Sequence, residues 1–158
     1  GVMNMKILFV SILAFLLGFC GPVLAAESIP LPPNIDIVKP GSDVSPEHAV
    51  FSGKWSGSWD NNCQVIIVVE SIDNLGRARI IFAQGPWPWT GKGPSPNRPL
   101  SERLEARFVS NTMSFRRDAG KLLYEAYLNT ADGTLRVNRT DIQDKYNKLN
   151  AAKLTRSE

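Results

Sequence analysis

Nine residues, Phe51 to Trp59, restrict the fold more than any other stretch. In FSGKWSGSW every odd position is Phe, Gly or Trp, and every even position is Ser or Lys. A period of two puts the rings on one face and the hydroxyls on the other, which is the pattern of a strand with one wet side. Glycines at 53 and 57 lie on the aromatic face. Each missing side chain there leaves room for a ring from elsewhere, as tight curvature requires.

The same alternation returns along the chain between turn signals. Asp60-Asn61-Asn62 leads into CQVIIVVESI (63–72), a β-branched run that is apolar on both faces through its middle. After Asp73-Asn74-Leu75-Gly76, RARIIFAQ (77–84) alternates Ala78, Ile80 and Phe82 with Arg77 and Arg79. Further on, Leu104, Ala106 and Phe108 oppose Arg103, Glu105 and Arg107; Met113 and Phe115 mark a fifth strand; Leu122, Tyr124, Ala126 and Leu128 share a face of a sixth. Leu135, Val137 and Arg139 define the seventh, and 149–156 the eighth, after a polar stretch 141–148 with room for a helical turn. Helix is the competing reading for 101–109 and 141–153. Eight short strands with tight turns, and no helix long enough to cover a sheet, predict an all-β domain. Its expected form is a single antiparallel up-and-down barrel that closes on itself and removes its edges. With about eight strands the interior is either filled by side chains or just wide enough for one small ligand.

The residues before the barrel read differently. Met5-Lys6, the apolar stretch 7–19, the breaker Gly21-Pro22 and the small residues Ala25 and Ala26 have the order of a cleavable secretory signal peptide. Residues 1–26 are therefore expected to be leader, with a mature start at Ala26 or Glu27. Thirteen residues are too few to span about 30 Å of hydrocarbon at 1.5 Å each, so no membrane span is expected in the mature form. Cys20 has Leu17 three positions upstream, but Phe19 stands where a lipoprotein signal has a small residue, which argues against lipidation. Residues 27–49 hold five prolines and no periodic pattern, so a flexible linker is expected there, with the barrel over 50–158. The product is expected in the periplasm or outside the cell. Only Cys63 remains after cleavage, so no internal disulfide can form, and it reads as a small buried hydrophobe.

FSGKWSGSW resembles the opening strand of the calycins, the lipocalins, fatty-acid-binding proteins and avidins, whose first barrel strand carries Gly-x-Trp. It is also similar to small exported bacterial barrel domains that open with a doubled Gly-x-Trp. The resemblance implies a lipocalin-like barrel in which a late-strand arginine, Arg139 or Arg156, packs over Trp55. The chain departs from lipocalins in having no possible disulfide and no C-terminal helix, and the polar set with which avidins hold biotin is not recognisable.

The segment GPWPWTGKGPSPNRP (85–99) interrupts the pattern with five prolines and three glycines around Trp87 and Trp89. A 15-residue connection is long beside such tight turns, and long loops are disproportionately functional. Two tryptophans stiffened by Pro86 and Pro88 offer flat, pre-ordered surfaces; the same rings could instead plug the barrel. Trp55, Trp59, Phe82, Trp87 and Trp89 are thus the candidate ligand-binding residues.

Catalytic and metal-binding inventories are thin. The only histidine, His48, ends the proline-rich segment, and no HExxH, CxxC or phosphate loop occurs. Neither a cofactor nor a metal is expected, and no catalytic residue is assigned. Glu102 with Glu105, and Asp141 with Asp144, read as solvated charges among Arg and Lys. Net charge is +3, or 17 − 15 = +2 without Lys6, and the basic residues form no run, so no nucleic-acid partner is expected. Two functions fit. One is a binding protein holding a small hydrophobic or amphipathic ligand at the barrel mouth; the other is a cell-envelope protein-interaction or structural module with a filled barrel.

Overall fold

The computed structural model describes residues 29–87, 98–144 and 149–158. A single helical turn, α1 (Pro46–Ala49), precedes eight strands: β1 (Gly53–Trp59), β2 (Gln64–Ile72), β3 (Arg77–Gln84), β4 (Leu100–Val109), β5 (Thr112–Arg117), β6 (Leu122–Asn129), β7 (Thr134–Asp141) and β8 (Leu149–Ser157). Each strand pairs antiparallel with the next, and β8 returns to β1. The result is a closed barrel in sequence order. Residues 100–109 and 149–157 are strands, which removes the helical reading for them.

Register fixes which side chains point inward. Trp55 pairs with Ile67 and Gly57 with Val65, while across the seam Gly57 pairs with Leu154 and Trp59 with Ala152. Apart from the half-buried Gly57 these inward residues are buried, together with Ile80, Phe82, Met113, Phe115, Tyr124, Leu135 and Val137. Gly57 is required by space: a Cβ there would lie 2.0 Å from the Lys153 carbonyl oxygen. The strand alternation in β2 breaks at a bulge between Val69 and Ser71, so the inward series 65, 67, 69 resumes at Ile72.

Turn chemistry follows the sequence closely. Asp73 Oδ1 accepts from the Leu75 and Arg77 N–H groups, both at 2.9 Å, and Gly76 supplies a positive φ of 71°. Asn129 and Asp132 do the same for the β6–β7 turn, where Gly133 has φ 68°.

The barrel has two different ends. The lower end carries the β2–β3, β4–β5 and β6–β7 turns and the lead-in to β1. Here Trp55 donates its Nε1–H to the Phe51 carbonyl at 2.9 Å. The Arg156 guanidinium lies 4.3 Å from the Trp55 ring centroid and donates to the Ser52 and Val50 carbonyls. His48 stacks on Phe108 at 4.1 Å, with its Nε2 2.9 Å from the Ser110 carbonyl oxygen. The helical turn therefore seals this end. The upper end carries the β1–β2, β3–β4, β5–β6 and β7–β8 connections.

Residues 29–45 contact the barrel wall at several points, which no periodicity in the sequence shows. The Val38 N–H donates to the Glu70 carbonyl at 2.7 Å, and Arg103 donates to the Asn34 carbonyl at 2.7 Å while pairing with the buried Glu70 carboxylate. Val44 is buried in the core cluster. The outward-facing Val68, Ile81 and Ala83 of this wall are fully buried, so the segment acts as a strap over an apolar outer patch.

Candidate functional site

The upper third of the barrel interior departs from the apolar pattern below it. Alternation along the strands brings Trp59 (β1), Gln84 (β3), Glu102 (β4), Arg117 (β5), Tyr124 (β6), Arg139 (β7) and Asn150 (β8) to the inner wall at this level. The floor beneath them is aromatic. Phe115 and Tyr124 stack at 4.9 Å and 4°, Phe82 lies 5.0 Å from Tyr124, and Trp59 lies 6.0 Å from Tyr124. Trp87, just past the end of β3, covers Trp59 at 6.2 Å.

Two polar groups divide this wall. In the first, Arg117 pairs with Glu102, donates to the Tyr124 hydroxyl at 3.3 Å and sits 5.0 Å over the Phe82 ring. Burial works against the charge of Arg117, but the hydrogen bonds to Glu102 and Tyr124 outweigh it and leave its pKa raised. In the second, Arg139 donates to Asn150 Oδ1 at 2.9 Å and stands 5.0 Å over the Trp87 ring. Asn150 in turn reaches Asp60 Oδ1 at 3.5 Å, which ties β7, β8 and the β1–β2 turn together.

Two buried polar atoms on the same inner wall have no hydrogen-bond partner among the described residues: Trp59 Nε1, a donor, and Gln84 Oε1, an acceptor. Their residues are 2% and 9% exposed. Buried polar groups are almost always paired, so two orphans at one end of a barrel call for an explanation.

The sequence candidates are thus separated by the fold. Trp59 and Trp87 meet at the upper end, Phe82 lies in the floor beneath them, and Trp55 belongs to the lower end under Arg156. Trp89 lies outside the described residues. Of the two arginines, Arg156 covers Trp55 and Arg139 covers Trp87. Nothing in the sequence alone marks Gln84, Glu102, Arg117 and Asn150 as site residues. Their signal is phase alone: Glu102 is in step with inward Leu104 and Ala106, and Arg117 with Met113 and Phe115. Glu102 and Glu105 consequently face opposite sides of the wall and do not form a pair.

Among the described residues no group of three His, Cys, Asp or Glu side chains converges to hold a metal. The His48 ring is fixed at the opposite end. Cys63 is buried with its Sγ 3.3 Å from the Gly85 carbonyl oxygen, and burial raises its pKa, which suppresses the nucleophilic thiolate.

By its fold, then, the chain is a closed eight-stranded up-and-down barrel, sealed at one end and lined with polar and aromatic groups at the other. No protein-family model, curated protein or solved structure matches it.

Proposed function

We propose that this chain is an exported, calycin-type binding protein that holds a small amphipathic molecule in the cup at the upper end of its barrel. The observation that carries the reading is the pair of buried atoms without a partner among the described residues, Trp59 Nε1 and Gln84 Oε1, beside the half-buried Trp87. A molecule with an apolar face and a few hydrogen-bonding groups satisfies both atoms and covers the rings, which is how small-ligand sites are ordinarily built. The Gly-x-Trp strand with Arg156 over Trp55 supports the calycin reading, and the leader at 1–26 supports export to the periplasm or beyond.

Native mass spectrometry of protein purified from its own host tests both parts. The expected result is a mature chain beginning at Ala26 or Glu27 that retains a small molecule, lost from a Trp59→Phe, Gln84→Leu double variant that keeps its fold. A mature chain still carrying residues 7–19, or one starting at an acylated Cys20, refutes the export reading. An empty barrel in both proteins refutes the cup. A second reading, a cell-envelope interaction module, draws on the dense packing of rings up to Tyr124 and on Ile35, Ile37 and Val38 exposed along the strap. It predicts a co-purifying protein in place of a small molecule.

A further inference from the structure

The two guanidinium groups at the upper end are in opposite electrical states. Arg117 is matched by Glu102 and by the Tyr124 hydroxyl. Arg139 forms no ion pair among the described residues; its one hydrogen bond there goes to a neutral amide oxygen, that of Asn150. The acids on neighbouring elements have other partners: Asp141 accepts from the Gln143 N–H at 3.0 Å, and Asp60 is reached through Asn150. A half-buried guanidinium carries five N–H donors in a planar fork suited to a carboxylate.

Register places the orphan donor beside it. Arg139 pairs with Asn150 on β8, and Ala152, the next inward residue of β8, pairs with Trp59 on β1. Arg139 and Trp59 both abut Trp87, at 5.0 and 6.2 Å. The buried Trp59 N–H therefore lies on the same stretch of wall as the unmatched cation, while Gln84 Oε1 presents an acceptor from β3.

Resting on the reading of the cup as a ligand site, we infer that its ligand is a carboxylate with an apolar body and an N–H donor close to the acid group, the chemistry of an N-acyl amino acid. The carboxylate is taken by the Arg139 fork and the Trp59 N–H, the ligand's N–H by Gln84 Oε1, and the apolar body by the Trp87 ring. A neutral molecule leaves the guanidinium without a counter-charge, and a cation is repelled by it.

Calorimetric titration of the host-purified protein with N-acetyl-L-phenylalanine, its methyl ester and 3-phenylpropionate tests this. The acid is expected to bind at least about tenfold more tightly than the ester, since a charged fork is lost, with 3-phenylpropionate between them for want of the N–H. Arg139→Gln should bring the acid down to the affinity of the ester and leave the ester unchanged. Gln84→Leu should erase the difference between the N-acetyl acid and 3-phenylpropionate. Equal binding of acid and ester, no binding of the acid at millimolar concentration, or an unchanged preference in Arg139→Gln overturns the inference. If that variant does not fold, the acid-to-ester ratio of the unaltered protein decides alone. A neutral retained molecule lost from the Trp59→Phe, Gln84→Leu variant overturns this inference while leaving the cup in place; an empty cup overturns both.

Discussion

Replacing Arg156 by Met removes the clasp at the lower end while keeping an apolar stem over Trp55. Three interactions are lost: the donations to the Ser52 carbonyl at 2.5 Å and the Val50 carbonyl at 2.6 Å, and the cation–π contact at 4.3 Å. Hydrogen bonds to a charged group contribute about 1.5–3 kcal/mol each where water is excluded. Arg156 is exposed, and water can replace it at both carbonyls, so about 1 kcal/mol each is the appropriate scale. An exposed cation–π contact adds about 0.5–1 kcal/mol. The sum is about 2.5–3 kcal/mol, which for a barrel of about 110 residues lowers Tm by about 10–15 °C. Thermal unfolding by circular dichroism, with urea unfolding to check that the slope is unchanged, gives the value directly. Arg156→Lys should fall between, since an ammonium cannot fork to two carbonyls. Arg107→Met, on the outer face of β4, is the control and should shift stability by less than about 0.5 kcal/mol. A loss below about 1 kcal/mol for Arg156→Met, or one equal to the control, refutes the clasp.

Four further outcomes are expected. Gly57→Ala pushes a Cβ to 2.0 Å from the Lys153 carbonyl oxygen and 2.9 Å from the Leu154 Cα, so it should cost at least about 3 kcal/mol and speed hydrogen exchange in β1 and β8 first; uniform or unchanged exchange refutes the close approach as the cause. Arg103→Met leaves the buried Glu70 carboxylate without its partner and frees the Asn34 carbonyl, so proteinase K should cut between residues 33 and 40 far faster than in the unaltered protein; equal rates would mean the strap is held elsewhere. Cys63 should react with iodoacetamide at pH 8 at least about a hundredfold more slowly folded than in denaturant, as mass spectrometry reads it, because burial raises its pKa and hides the sulfur. Asp132 accepts from the Thr134 hydroxyl and N–H and pairs with Lys153, which holds its carboxyl below the ordinary range; the folded pKa is the lower one, so its contribution is present above about pH 4 and is lost as pH falls toward the folded value, and acid should destabilise the unaltered protein more steeply than Asp132→Asn.

Much of the barrel can be read from the chain because each strand's periodicity is a local consequence of one wet face and one dry face. FSGKWSGSW places Trp55 and Trp59 inward without reference to any other residue, and Asp73 and Gly76 build their turn from their own side chain and φ. The candidate site is harder to read because its members come from seven strands and are distinguished only by height along the barrel. Periodicity says that Trp55 and Trp59 share a face but not that one belongs to the lower end, under Arg156, and the other to the upper end, beside Trp87. It also treats Glu102 as one more charge in a basic stretch, when its pairing with Arg117 depends on a strand that follows it in the chain. The strap is invisible for a related reason: prolines prescribe extended backbone, while its attachment depends on Glu70 and Arg103. The β2 bulge likewise leaves no mark in a run that is apolar on both faces.

The seam between β1 and β8 sets the order in which this fold can be completed. It joins residues about a hundred positions apart, Lys54 with Ser157 and Trp55 with Arg156, whereas every other strand pair joins neighbours in sequence. Loop-closure entropy weighs most on this long-range pairing, and without it β1 and β8 would be the two unsatisfied edges of an open sheet. A growing polypeptide therefore has no closed form to adopt until β8 has emerged from the ribosome. The strand that shuts the wall is also the one that brings Arg156 over Trp55, so closure of the barrel and sealing of its lower end depend on the same residues.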